Sequence, residues 1–162
     1  MIELAGQTHL SDILPIPESS DAYASRTGHP PSAAKTVCID LDKTIIPWGS
    51  LEEIRDPFPG ATAAIAKLRR AGFRIVIWTS RLSHSWWRAE GVARNVDPWE
   101  FGRAQKAQVE RLLQAGGIHY DLVTAEKIPA LAYFDDKGIR VDESYPLDEA
   151  INDFLNGGYG AV

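Results

Sequence analysis

Short apolar runs alternate with longer segments of mixed character from residue 36 onward. The runs are TVCIDL (36–41), FRIVIWTS (73–80), YDLVT (120–124), ALAYFD (130–135) and the shorter IRV (139–141). Continuous apolar runs of this length are typical of strands that are buried on both faces of a sheet. The pattern therefore predicts four strands and a short fifth strand.

Three segments between and after these runs repeat apolar residues at the spacing of an amphipathic helix. The apolar positions are Ala61, Ala64, Ile65 and Leu68 in the first; Phe101, Ala104, Val109, Leu112 and Leu113 in the second; and Leu147, Ala150, Ile151, Phe154 and Leu155 in the third. Residues 82–100 are ambiguous, and one interpretation is a helix followed by a turn at Asp97-Pro98.

The order of strands and helices predicts an α/β fold, a three-layer α/β/α sandwich around a mostly parallel, Rossmann-like sheet. We assign this domain to residues 35–162. Residues 1–34 differ, because they contain four prolines and several serines and few long apolar patterns. We interpret them as an extended or partly ordered N-terminal arm.

Composition narrows the class of protein. The 162 residues suit one domain, and the net charge of −5 gives no broad surface for nucleic acid or an anionic membrane. The single cysteine, Cys38, excludes an internal disulfide and a cysteine-based zinc site and indicates a reduced thiol. No apolar run approaches the roughly 18 residues that span a bilayer, and the first residues lack a secretory signal pattern. We therefore expect a cytoplasmic protein with no membrane partner.

Polar residues lie where the predicted strands end. The carboxyl ends of parallel strands meet at one edge of a sheet, and ligands bind beyond that edge. We expect these side chains to converge there: Asp40 and Asp42 after the first strand, Thr79, Ser80 and Arg81 after the second, Lys127 before the fourth, and Asp135 and Asp136 after it.

The carboxylates of this set indicate a cation site. Asp40 and Asp42 point to the same side while the chain is extended, and neighbouring carboxylates repel unless a cation lies between them. An all-oxygen set suits Mg²⁺, which in turn attracts phosphate. Thr79 and Lys127 supply further contacts to a phosphate, and an aspartate can attack phosphorus to form an aspartyl-phosphate.

DLDKT (40–44), the strand ending in Thr79, Lys127 and FDD (134–136) resemble, in this order, the four motifs of the haloacid dehalogenase superfamily. The resemblance covers roughly residues 36–156. The stretch KIPALAYFDDKGIRV is also similar to the tail of small hydrolases of this superfamily that lack a cap domain and occur in phages and bacteria.

The resemblance implies a Mg²⁺-dependent phosphatase. Asp40 would be the nucleophile, and Asp42 would protonate the leaving oxygen and then activate water. Thr79 would bind a phosphoryl oxygen, and Lys127 would neutralise charge on the phosphate. Lys106 competes with Lys127 for this role, but its place four residues before Glu110 favours a surface ion pair.

The metal site implied by the resemblance uses oxygen ligands only. Mg²⁺ would be held by the Asp40 carboxylate, the Asp42 backbone carbonyl and Asp135, with Asp136 binding it directly or through water.

Other residues at the same edge are candidates for substrate contact: Lys43, where many members of the superfamily have glycine, Ser80, Arg81 and Trp48. Ser80 is the weaker alternative to Thr79, and a surface arginine is the alternative for Arg81. Trp86 and Trp87 either contact a substrate or cover the core. His84 and His119 lack metal-ligand spacing.

The sequence leaves no room for a cap domain at residues 43–59 or between the third and fourth strands. We expect an open site for a phosphorylated substrate: a small phosphomonoester, a phosphoprotein or a polynucleotide end. The sequence does not decide whether the protein forms a homo-oligomer. The alternatives are a non-catalytic module that binds Mg²⁺ and phosphate, a magnesium-dependent protein or sugar phosphatase of the same superfamily, and a receiver domain. The last is disfavoured because the third strand does not end in aspartate.

Overall fold

The computed structural model describes residues 25, 28, 31–135, 139–142 and 144–157. Asp136 and most of the predicted arm therefore lie outside the described residues. Within them, five strands form one sheet: β1 Thr36–Asp40, β2 Arg74–Trp78, β3 Leu122–Thr124, β4 Ala132–Asp135 and β5 Ile139–Arg140. Their order across the sheet is β3-β2-β1-β4-β5, and every pairing is parallel. The predicted strands and their parallel arrangement are confirmed.

Four helices are described: α1 Ala61–Arg70, α2 His84–Arg94, α3 Pro98–Ala115 and α4 Leu147–Leu155. Short 3-10 turns precede β1 at Pro31–Lys35 and follow β2 at Ser80–Leu82. Ala33, in the first turn, is buried. None of the described helices combines the length and the apolar character needed to cross a bilayer.

The main core lies on one face of the sheet. The buried residues of α1, α3 and α4 belong to the same cluster as Val37, Ile39, Ile75 and Ile77, which alternate along β1 and β2 toward that face. Handedness explains why α1 and α3 share this face. The chain moves from β1 to β2 to β3 in one direction across the sheet, and right-handed crossovers then place their helices on the same face.

The opposite face carries the alternate residues of the central strands, among them Cys38 and Val76, which are also buried. Between β3 and β4 the described chain contains no helix, so this connection adds no layer there. The described residues thus show an α/β fold with one helical layer on the sheet. The second layer of the expected sandwich stays a prediction.

The ambiguous segment 82–100 is a helix followed by a turn. α2 is capped at its carboxyl end by Asn95, which adopts a left-handed conformation with φ 56°. Asp97 then caps α3, because its Oδ1 accepts hydrogen bonds from the amides of Trp99 at 3.0 Å and Glu100 at 2.9 Å. Pro98 occupies the first helical position, where its missing N–H costs nothing.

The helical face predicted for α3 needs one correction. Ala104 is exposed, and the buried positions are Gly102, Gln105, Val109 and Leu113. The reason is the packing of α2 on α3. The Trp87 ring lies directly against Gly102, where a Cβ atom would overlap it. A side-chain-free position, which apolar periodicity does not detect, thus sets the contact face of α3.

We expect Gly102→Ala to destabilise the protein. Alanine favours a helix over glycine by about 1 kcal/mol. Overpacking against the Trp87 ring costs roughly 1–3 kcal/mol, so the net effect is a loss. Urea unfolding measures it. Ala104→Gly, on the exposed face of the same helix, is the matched control and should lose only the propensity term. A stabilised Gly102→Ala variant would contradict the close contact between α2 and α3.

Candidate active site

Two carboxylates lie side by side where β1 and β4 end. The register pairs Ile39 with Phe134, so Asp40 and Asp135 are the next residues on two neighbouring parallel strands. Both follow the alternation of Cys38 and Tyr133, which places them on the face opposite the helical core. The Asp40 carboxylate accepts a hydrogen bond from the amide of Leu41 at 2.8 Å, and Asp135 is largely buried. Both groups are therefore fixed at one rim of the sheet.

Asp42 lies in a tight turn directly after β1. The amides of Ile45 and Ile46 both donate to the carbonyl of Leu41, at 2.9 and 3.0 Å, and the amide of Lys43 donates to the carbonyl of Ile46 at 2.7 Å. Lys43 has φ 65° and is exposed. Glycine adopts this left-handed conformation without strain, whereas lysine does not. Lysine at this position therefore carries a backbone cost, and its side chain lies at the surface.

Arg81 holds the carboxylate of Asp42 in a forked contact. Its Nε donates to Oδ2 at 2.8 Å and to Oδ1 at 3.1 Å, and its Nη2 donates to Oδ1 at 2.8 Å. The Arg81 side chain is completely buried, whereas that of Asp42 is 14% exposed. The predicted substrate contact of Arg81 stays a prediction, because this structure engages the guanidinium with the protein itself.

The loop after β1 completes the surroundings of Arg81. Its Nη2 also donates to the carbonyl of Ser50 at 3.1 Å, and its guanidinium carbon lies 5.0 Å from the centre of the Trp48 ring. Trp48 is 40% exposed, so it covers the cation on one side and meets solvent on the other. Nη1 has no hydrogen-bond partner among the described residues.

Thr79 and Ser80 differ in their environments. Thr79 is buried, and its hydroxyl oxygen accepts a hydrogen bond from the amide of Arg81 at 3.2 Å. A hydroxyl that accepts one bond still has its own proton to donate, as a contact to a phosphoryl oxygen requires. Ser80 is exposed. The contact of Thr79, rather than Ser80, with a phosphoryl oxygen stays a prediction.

Lys127 lies over two aromatic rings on the face that carries Asp40 and Asp135. Its Nζ is 5.9 Å from the ring centre of Trp78 and 5.5 Å from that of Tyr133. Trp78 is the register partner of Asp40 and donates from Nε1 to the carbonyl of Ala125 at 3.0 Å, which ties the segment before Lys127 to β2. Cation–π contacts of this kind hold an ammonium group without neutralising it.

The competing lysine has the role expected for a surface residue. Lys106 forms an ion pair with Glu110 one helical turn later on α3. Trp87 donates from Nε1 to the carbonyl of Arg81 at 2.7 Å and packs on α3, so it supports the fold. The ring of His84 packs against that of Trp99, with 4.7 Å between the ring centres.

Sequence reasoning missed four supporting residues: Trp78 and Tyr133, which flank Lys127, and Ser50 and Gln105, which shape the loop after β1. Gln105 on α3 donates from Nε2 to the carbonyl of Leu51 at 2.9 Å and so fastens this loop. The only signal in the sequence was the position of Trp78 and Tyr133 near the ends of their strands.

The donor set fits Mg²⁺ in part. Among the described residues, no three side chains of His, Cys, Asp or Glu come together as a metal site. The Asp42 carboxylate contacts Arg81, so the oxygen donors expected for the ion are the carboxylates of Asp40 and Asp135 and the Asp42 backbone carbonyl. Mg²⁺ is commonly held by one or two carboxylates together with water and phosphate oxygens, so a set with two carboxylates is of the kind that this ion uses.

Comparisons with known proteins found no relative of this chain. No family model matches it, and neither the curated proteins nor the solved structures contain a significant match. The resemblance to a superfamily therefore rests on the sequence motifs alone.

Tyr133 should make the free energy of unfolding depend on pH. Burial raises the pKa of Tyr133 to about 12, and its hydrogen bond with Cys38 acts in the same direction. Because an unfolded tyrosine loses its proton near pH 10, the unfolded state binds fewer protons between about pH 10 and 12. The free energy of unfolding should therefore fall as the pH rises through this range.

Urea unfolding at pH 9 and pH 11 tests this dependence. Tyr133→Phe retains a ring beneath Lys127 and should reduce the loss of stability between the two pH values. Tyr120→Phe is the matched control, and it should behave as the wild type does. An unchanged pH dependence in Tyr133→Phe would contradict the prediction.

Proposed function

We propose that the protein is a Mg²⁺-dependent phosphomonoester hydrolase of the haloacid dehalogenase superfamily that acts through an aspartyl-phosphate. The observation that carries the proposal is the placement of Asp40 and Asp135 at the carboxyl ends of adjacent parallel strands, with Lys127 over the rings of Trp78 and Tyr133 on the same face. Thr79 directly follows the neighbouring strand β2. We further propose the Rossmann-like, three-layer form of the fold, without a large cap domain.

Each residue has one task in this reaction. A carboxylate oxygen of Asp40 attacks phosphorus, and the bond from phosphorus to the leaving oxygen breaks as Asp42 gives that oxygen a proton. Asp42 then takes a proton from water, whose oxygen attacks phosphorus and releases Asp40. Thr79 and Lys127 stabilise the negative charge of the phosphoryl oxygens in both steps. When bound, Mg²⁺ supplies further neutralisation of that charge.

The rim of the sheet is not covered by an inserted domain at the two connections beside it, so substrates of several classes can reach it. Residues 41–60 and 125–131, the two connections where a cap would be inserted, contain no helix and no extended strand. A phosphoprotein, a polynucleotide end or a small phosphomonoester could each approach the rim. Trp48 and Lys43, both exposed beside it, are the candidate contacts to the remainder of the substrate.

One observation favours a second candidate, a non-catalytic module that binds Mg²⁺ and phosphate. The carboxylate of Asp42, the expected proton carrier, is held by Arg81 in this structure. If this contact never opens to substrate, the site binds phosphate without turnover. A receiver domain is disfavoured because β3 ends in Thr124, where the phosphorylated aspartate would stand.

Phosphate release from para-nitrophenyl phosphate, nucleotides, sugar phosphates and phosphopeptides tests the hydrolase. We expect turnover with Mg²⁺ and none with EDTA. Asp40→Asn should lower kcat at least about a thousandfold, because it removes the nucleophile. Asp153→Asn, an exposed aspartate on α4, is the control and should retain wild-type activity. A wild type that binds Mg²⁺ but releases no phosphate from any substrate would favour the binding module.

Two lysine variants test the cation of the site. Lys127→Met should lower kcat/KM about a hundredfold, because a preorganised charge on the phosphoryl group is lost. Lys106→Met removes a surface ion pair of α3 and should change kcat/KM less than about twofold. Equal losses in both variants would remove Lys127 from the site.

A further inference from the structure

Arg81 is a fully buried cation whose fork is used inside the protein. Three hydrogen bonds join it to the carboxylate of Asp42, and a fourth joins it to the carbonyl of Ser50. We propose that Arg81 is a positioning residue that fixes the Asp42 carboxylate for proton transfer to the leaving group. This proposal rests on the proposed hydrolase function.

The contacts of Arg81 fix its position at both ends. Its amide donates to the hydroxyl of Thr79 at 3.2 Å, and its carbonyl accepts a hydrogen bond from Nε1 of Trp87 at 2.7 Å. At the other end, the guanidinium is covered by Trp48 and bonded to Ser50. A side chain held in this way can impose one orientation on its partner.

The fork leaves one defined place on Asp42 for a proton. Oδ1 accepts from both Nε and Nη2 of Arg81, whereas Oδ2 accepts from Nε alone. A carboxylate oxygen has two lone pairs, so Oδ2 retains one for the leaving oxygen or for water. We therefore assign proton transfer to Oδ2. A carboxylate without the fork would rotate about its bond to Cβ and lose this alignment.

Stability alone does not account for this contact. Removing a pair of charges from water is costly, and apolar residues of similar size often serve stability as well or better. The buried pair of Arg81 and Asp42 also lies at the functional rim, two residues beyond Asp40. A role in the reaction explains both the charge and its location.

The leaving group of the substrate provides a sensitive test. Para-nitrophenolate leaves readily without a proton, whereas phenolate depends more on general acid catalysis. Arg81→Lys keeps the charge and removes the fork. We expect its kcat/KM to fall about tenfold more for phenyl phosphate than for para-nitrophenyl phosphate, because proton transfer contributes only where the leaving group needs it. Asp42→Asn should show the same selectivity.

A double-variant cycle tests whether Arg81 acts through Asp42. If it does, Arg81→Lys combined with Asp42→Asn should be no worse than Asp42→Asn alone, within about twofold. Arg69→Lys is the matched control, since Arg69 also pairs with an aspartate, Asp121, at an exposed site away from the rim. Arg69→Lys should leave kcat/KM unchanged for both substrates.

Several results would overturn the proposal. Equal losses for both substrates would indicate a structural role, and a rise in KM with kcat unchanged would mean that Arg81 contacts the substrate. If the losses in kcat/KM of the two single variants multiply in the double variant, Arg81 does not act through Asp42 and the proposal is overturned. If Arg81→Lys does not fold, Trp48→Leu decides: it uncovers the guanidinium and should reproduce the selective loss more weakly. A wild type without turnover overturns the hydrolase itself and this proposal with it, whereas unselective loss overturns the positioning role alone.

Discussion

The parallel pairing of β1 with β2 and β4 is the constraint on which the site depends. Parallel strands bring their carboxyl ends to one rim, and register decides which residues become neighbours there. Because Ile39 pairs with Phe134 and Asp40 with Trp78, one short strand places the proposed nucleophile beside a carboxylate on one side and beside the aromatic support of a lysine on the other. A shift of one residue would turn Asp40 toward the helical core.

The main hydrophobic core and the candidate site lie on opposite faces of the sheet. Helices α1, α3 and α4 cover the face of Val37 and Ile39, whereas Asp40 and Asp135 lie on the other face. The proposed reaction can therefore take place without charged groups within the main core. The separation follows from chain direction, because two successive right-handed crossovers that advance the same way place their helices together.

Much of this architecture could be predicted from local patterns. The strands were visible as continuous apolar runs, and the buried residues of α1 matched the predicted face. The contact between Arg81 and Asp42 could not be predicted, because it joins residues 39 positions apart and no local pattern encodes it. The face of α3 was misjudged at Ala104 for a related reason: the contact with α2 is made through a glycine, which carries no hydrophobic signal. The use of one sheet face by the helices followed from strand order, which the sequence does not state.

The two halves of the candidate site are held by different kinds of structure. Asp40 and Asp135 stand on strands whose hydrogen-bond ladders fix their backbones. Asp42 stands on a turn, and its carboxylate is oriented by Arg81, which in turn depends on the loop carbonyl of Ser50. That loop is fastened to α3 by Gln105. Asp40, the proposed nucleophile, is thus fixed by the sheet, whereas Asp42, the proposed proton carrier, is fixed by a chain of side-chain contacts that reaches α3. Changes in the packing of α3 should therefore disturb the carboxylate of Asp42 before they disturb that of Asp40.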